Sequence, residues 1–161
     1  MVVLNILLIV CLLTITYQDF KERKVFWFLF PSLMLLFGCF YGIQISSKVV
    51  FLYQILANTL MVTVILIILF LYTSLITKKR FLNHSLGLGD VLFFYAMGVG
   101  FPTLTFIVLF AFAVLFSLLV FTITKRSSVY KTVPLAGLMG LFIAFVILYT
   151  SIFKYPALYG Y

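Results

Sequence analysis

Acidic side chains are almost missing from this sequence. Among 161 residues only Asp19, Glu22 and Asp90 carry a carboxylate, against eleven lysines and arginines. So few acids leave little from which to build a metal cage, and no metal site is expected. There is one histidine, His84, and no convincing Ser/His/Asp set accompanies it. It reads as a solvated loop residue that could touch a substrate. Cysteine is as scarce, with only Cys11 and Cys39. Each lies inside an apolar run and no C-x-x-C pair exists, which excludes a thiolate zinc site. Both thiols are read as small packing residues. No cofactor is expected.

Charge of either sign is sparse. Charged residues make up 9% of the chain and hydrophobic ones 66%, whereas a soluble protein carries about 25% charged residues. A water-soluble domain of this length could not cover so much apolar surface. Lipid is the solvent that suits the composition. The formal charge of +8 would suggest nucleic acid if the basic residues formed one patch. They stand instead in short clusters between apolar runs, a membrane-topology pattern, so no nucleic-acid partner is expected.

Six apolar segments can be read at the length a bilayer demands. They run from Val2 to Gln18, from Val25 to Ile45 with Pro31 in its early turns, and within Val49 to Thr77. A short fourth covers Leu88 to Phe101, a fifth Thr103 to Thr124 and a sixth Thr132 to Phe153. The first lacks a basic leader and a small-residue cleavage site, so it is read as a retained helix. The third is longer than one crossing needs and is expected to tilt or begin late. The fourth and fifth are separated at Gly98-Val99-Gly100-Phe101-Pro102, where proline removes a backbone donor. The expected fold is therefore all-α, a polytopic membrane protein of about six transmembrane helices, with residues 1–161 forming one membrane-embedded domain.

The basic residues orient it. Lys21, Arg23, Lys24, Lys78, Lys79, Arg80, Lys125, Arg126 and Lys131 follow helices one, three and five, and only Lys48 and Lys154 fall on the other side. The positive-inside rule then puts those three loops in the cytoplasm and both termini outside.

With that orientation Asp19, ending the first helix, and Asp90, opening the fourth, share the cytoplasmic boundary. The two can meet if helices one and four are neighbours. Carboxylates at a membrane edge are functional candidates. Two that face each other can share one proton: the ionised partner deprotonates a water and the protonated one polarises a scissile carbonyl. The bland readings are that Asp90 caps a helix and Asp19 sits in a solvated loop. Glu22, among Lys21, Arg23 and Lys24, balances charge. Gly87 and Gly89 permit unusual backbone angles and close approach, so they are candidate substrate-binding residues beside Asp90.

Gly87-Leu88-Gly89-Asp90 resembles the GxGD signature of membrane aspartyl proteases. The layout as a whole resembles the type IV prepilin peptidase and preflagellin peptidase family, with one Asp ending the first helix and another in GxGD at the fourth. Val133-Pro134-Leu135-Ala136-Gly137 is similar to the proline-containing segment opening that family's last helix. The chain departs at Phe26-Trp27, where many members carry Pro-Asn, and at Leu92, where many carry Lys. The resemblance implies an aspartic endopeptidase with Asp19 and Asp90 as catalytic residues. Its partner would be a type IV pilin-like or flagellin-like precursor, cut where a short basic leader meets an apolar helix. It implies a multi-pass protein of the plasma (inner) membrane, active at the cytoplasmic face, in a short form without the N-methyltransferase insertion. The competing readings are a small proton- or ion-coupled transporter, which requires carboxylates near the bilayer midplane, and a non-catalytic membrane subunit.

Overall fold

A computed structural model describes residues 2–77, 87–124, 134–153 and 158–159. They form six α-helices, and no strand occurs among the described residues. The helices are α1 (Val2–Glu22), α2 (Leu29–Gln44), α3 (Lys48–Tyr72), α4 (Leu88–Gly100), α5 (Thr103–Thr124) and α6 (Leu135–Phe153). A π-helical turn, Thr73–Thr77, prolongs α3. Helices α1, α3, α5 and α6 are long and apolar enough to cross a membrane, while α2 and α4 are shorter. The protein is an all-α membrane protein, as the composition requires. His84 and the basic residues Lys78, Lys79, Arg80, Lys125, Arg126, Lys131 and Lys154 lie outside the described residues.

Three boundaries differ from the hydropathy reading. α1 continues past Gln18 to Glu22, so Asp19 is in its last helical turn rather than a loop. The helix stops at Arg23, whose φ of 55° is left-handed, a conformation that ends helices and that non-glycine residues adopt at a cost. α2 begins at Leu29 rather than Val25, because a turn intervenes in which the Leu29 amide bonds the Phe26 carbonyl. α3 does not begin late. It starts at Lys48, where the Ser47 hydroxyl accepts the Val50 amide at the N-cap.

Packing places α6 at the centre. Of its membrane-length window 44% is buried inside the protein, against 17% for α3. α6 packs on α1, α4 and α5, and α2 packs on α1 and α4. α1 and α4 are not one of the main packing pairs; both pack on α2 and on α6, so the two acids come together without principal packing between helices one and four. In lipid such contacts rest on close van der Waals fit and on small residues that let backbones approach. Leu12, Ile15, Leu33, Phe37, Phe93, Met97, Met139 and Ile143 fill the centre. At one end Asn5 donates to the Ser151 hydroxyl at 3.1 Å, which brings the start of α1 to the end of α6.

The short α4 ends inside the bundle, where unpaired carbonyls cost several kcal/mol each. Asn58, fully buried on α3, meets that need: its Nδ2 donates to Gly98 O at 2.9 Å and Phe101 O at 2.8 Å. The Tyr159 hydroxyl donates to Gly100 O at 3.0 Å. These bonds hold α4 at a fixed depth, and Asp90 opens its other end.

Candidate active site

The site is built where three helix ends meet: the last turn of α1 and the first turns of α4 and α6. α6 is the organiser. Pro134 occupies its N-cap position, its carbonyl accepting the Leu138 amide at 3.0 Å. The first amides of any helix lack intrahelical partners, and a Ser, Thr, Asp or Asn at the N-cap commonly supplies one. Proline has no side-chain acceptor. The amides of Ala136 and Gly137 therefore look outward, and two other helices answer them. Asp90 Oδ1 accepts Ala136 N–H at 2.8 Å, and Asp19 Oδ2 accepts Gly137 N–H at 2.7 Å.

Adjacent amides are displaced by only about 1.5 Å along a helix axis. Binding them side by side gathers the two carboxyls at a single helical turn, near enough to act on one another electrostatically. The positive end of the α6 dipole offsets part of their mutual repulsion. Both side chains are half-buried. The Arg23 guanidinium adds a favourable charge beside Asp19.

Asp90 has a second duty. α4 begins at Leu88 with Gly87 as N-cap, so Asp90 is the third helical residue, and its Oδ2 reaches back to accept the Gly87 amide at 3.1 Å. The reading of Asp90 as the N-cap itself is corrected: Gly87 holds that position, and Asp90 supports the cap from inside the helix with one oxygen. The other oxygen makes the contact to α6. Gly87 (φ −72°, ψ 145°) is in ordinary extended backbone. Among the described residues no glycine has positive φ, so the expectation that Gly87 and Gly89 adopt angles closed to other residues is corrected. Their smallness serves contacts within the chain. A Cβ on Gly87 would lie 3.0 Å from Asp90 Oδ2, and one on Gly89 would lie 3.1 Å from the Phe30 ring.

The closest approach in the site is between α1 and α6. A Cβ on Gly137 would stand 3.0 Å from both Cβ and Oδ2 of Asp19. Thr16, buried one turn before Asp19, bonds the Gly137 carbonyl at 3.0 Å. By sequence alone no role is assigned to Thr16, and Ala136 and Gly137 are marked only as part of the proline-containing segment, with no role for their amides. A proline opening an apolar helix with no capping side chain is a legible sign of amides seeking partners, and Thr16 lies three residues from Asp19 on the same face of α1. The departure segment Phe26-Trp27 joins the site from the side: Phe26 N–H donates to Gln18 Oε1 at 3.1 Å, next to Asp19.

Half-buried carboxyls gathered in this way can pass a proton between themselves and a water, which suits general acid–base attack on a carbonyl. No protein-family model matches the chain, and no match was found among curated proteins or solved structures.

Proposed function

We propose that this protein is a membrane aspartyl endopeptidase that cleaves type IV pilin-like or flagellin-like precursors at the cytoplasmic boundary of the plasma membrane. Residues 1–161 would act as one peptidase domain. The observation that carries the reading is the convergence of Asp19 and Asp90 on adjacent amides of one helical turn. These are two of the chain's three acids, 71 positions apart, on helices that are not principal neighbours.

The chemistry follows from a shared proton. The ionised carboxylate takes a proton from water as it attacks the scissile carbonyl. The protonated partner gives its proton to the carbonyl oxygen, forming a neutral tetrahedral diol. The carboxyl that took the water's proton then passes it to the departing amine, and the diol returns its proton to the other carboxylate as the carbonyl re-forms. The α6 amides keep both carboxyls aimed without adding a group that competes for the water. Lys21, Arg23 and Lys24 lie at this end of the bundle and Lys48 at the other, which supports a cytoplasmic orientation. Carboxylates at a helix terminus, rather than midway along a span, favour hydrolysis at the boundary over proton transport. A basic leader would be drawn to this small acidic site.

The direct test is incubation of the purified protein, reconstituted in lipid, with a pilin-like precursor, followed by mass spectrometry. Release of the leader at its junction with the apolar helix is the expected product, and an intact precursor in all lipid conditions overturns the proposal.

Depth in the bilayer has its own check. Phe26, Trp27 and Phe28 are 60, 72 and 51% exposed, and Trp27 is the sole tryptophan. Aromatic side chains gather at the headgroup level, so Trp27 fluorescence is expected to be quenched most by lipids brominated near the headgroup. Full quenching by aqueous iodide with no lipid quenching would place this end of the bundle in water and refute a boundary site.

A further inference from the structure

Gly137 is gripped at both ends of its backbone by one face of α1. Its N–H donates to Asp19 Oδ2 at 2.7 Å, and its C=O accepts from Thr16 Oγ1 at 3.0 Å. Thr16 and Asp19 are three residues apart, the spacing that stacks side chains on one helix face. The Thr16 hydroxyl also lies 2.9 Å from the Leu12 carbonyl of its own helix. Its single proton is therefore shared between a carbonyl of α1 and a carbonyl of α6. α6 makes room for this grip. A Cβ on Gly140 would come within 3.2 Å of Thr16 Oγ1, and one on Gly137 within 3.0 Å of Asp19.

The consequence reaches the second carboxylate. The Ala136 amide, which holds Asp90, precedes Gly137 in the same rigid turn. Whatever sets Gly137 against α1 also sets Ala136 against α4, and so sets the relation of the two carboxyls. Asp19 alone is a poor anchor for that purpose, because its carboxyl must change protonation in each cycle. Thr16 is neutral and buried, and its bond to Gly137 persists whatever Asp19 carries.

We infer that Thr16 is a positioning residue for the carboxylate pair, fixing the first turn of α6 on α1 through the Gly137 carbonyl. The inference rests on the peptidase reading above. It concerns the catalytic step rather than precursor binding, because Thr16 is buried behind Asp19. Thr16→Val keeps the shape and removes the donor, and Thr16→Ser keeps the donor and removes a methyl.

In the reconstituted full-length protein, Thr16→Val is expected to lower kcat for precursor cleavage about tenfold with little change in KM, as displaced catalytic groups do. Thr16→Ser is expected to cleave within about twofold of the parent. If Thr16→Val fails to accumulate, Thr16→Ala removes the same hydroxyl with less crowding and is expected to show the same loss. A valine or alanine variant as fast as the parent overturns the inference, as does a serine variant as slow as valine or a change confined to KM. Measured beside them, Asp19→Asn and Asp90→Asn separate the two ideas. If both asparagine variants are inactive and Thr16→Val is fully active, only the positioning role fails. If both are active, the carboxylate pair has no catalytic role and the inference falls with it.

Discussion

Asparagine at either Asp19 or Asp90 is expected to reduce precursor cleavage by on the order of 10³-fold or more, while the protein still inserts and folds. The substitution separates structure from chemistry unusually well here. Each aspartate holds an α6 amide through one oxygen, and an asparagine carbonyl oxygen can accept the same bond. The capping of α6 is therefore retained. What asparagine cannot do is exchange a proton, so neither water activation nor protonation of the carbonyl oxygen survives. Asp90→Asn can also keep half of its local role by turning its oxygen toward one of Gly87 and Ala136, but not both, so a small loss of thermal stability beyond that of Asp19→Asn is expected. Precursor processing that persists in both single variants would leave the acids as helix caps and end the aspartyl mechanism.

Gly137→Ala should also lower activity, by up to about 10²-fold, although it removes no functional group. The new methyl would begin 3.0 Å from both Cβ and Oδ2 of Asp19, tighter than nine in ten such contacts. Relief requires either Asp19 to leave its rotamer or α6 to retreat from α1. In the first case the 2.7 Å bond is lost, and in the second both carboxyls move apart. A shift of about 1 Å in a catalytic group costs about 10²-fold in rate, and overpacking of this kind costs about 1–3 kcal/mol of stability. Gly42→Ala is the matched control. There a Cβ would meet only the Phe51 ring of α3 at 3.7 Å, an ordinary van der Waals contact, and replacing a helical glycine by alanine usually gains about 0.5–1 kcal/mol. Cleavage rate and thermal midpoint measured on both variants check the pair. A Gly137→Ala protein with parental activity would mean that the α1–α6 contact does not set the site.

Much of the architecture was legible before any coordinates. The break at Pro102 and the start of α5 at Thr103 match the hydropathy reading, because proline is a local signal. Boundaries set by backbone geometry were less legible. α1 overran its apolar stretch because Asp19, Lys21 and Glu22 are tolerated in a last helical turn, and only the left-handed Arg23 ended it. The start of α2 was masked by Phe26-Trp27-Phe28, which are apolar but lie in a turn. Gly87 and Gly89 stand out in the sequence beside Asp90, but the neighbours that need their smallness, the Asp90 carboxyl and the Phe30 ring, belong to the chain itself.

Taken alone, the sequence determined a helical protein made for lipid, and it determined that Asp19 and Asp90 fall at the same end. Both follow from local quantities, namely apolar run length, charge clusters and the reversal of direction at each successive helix. Which helix brings the two acids together was decided only by the tertiary structure. α1 and α4 both pack on α2 and α6 rather than mainly on each other, and the meeting point is the first turn of α6, entered through Gly137. That choice depends on shape fit between segments more than a hundred residues apart. Hydropathy, which reports only that each of these helices is apolar, carries no record of it.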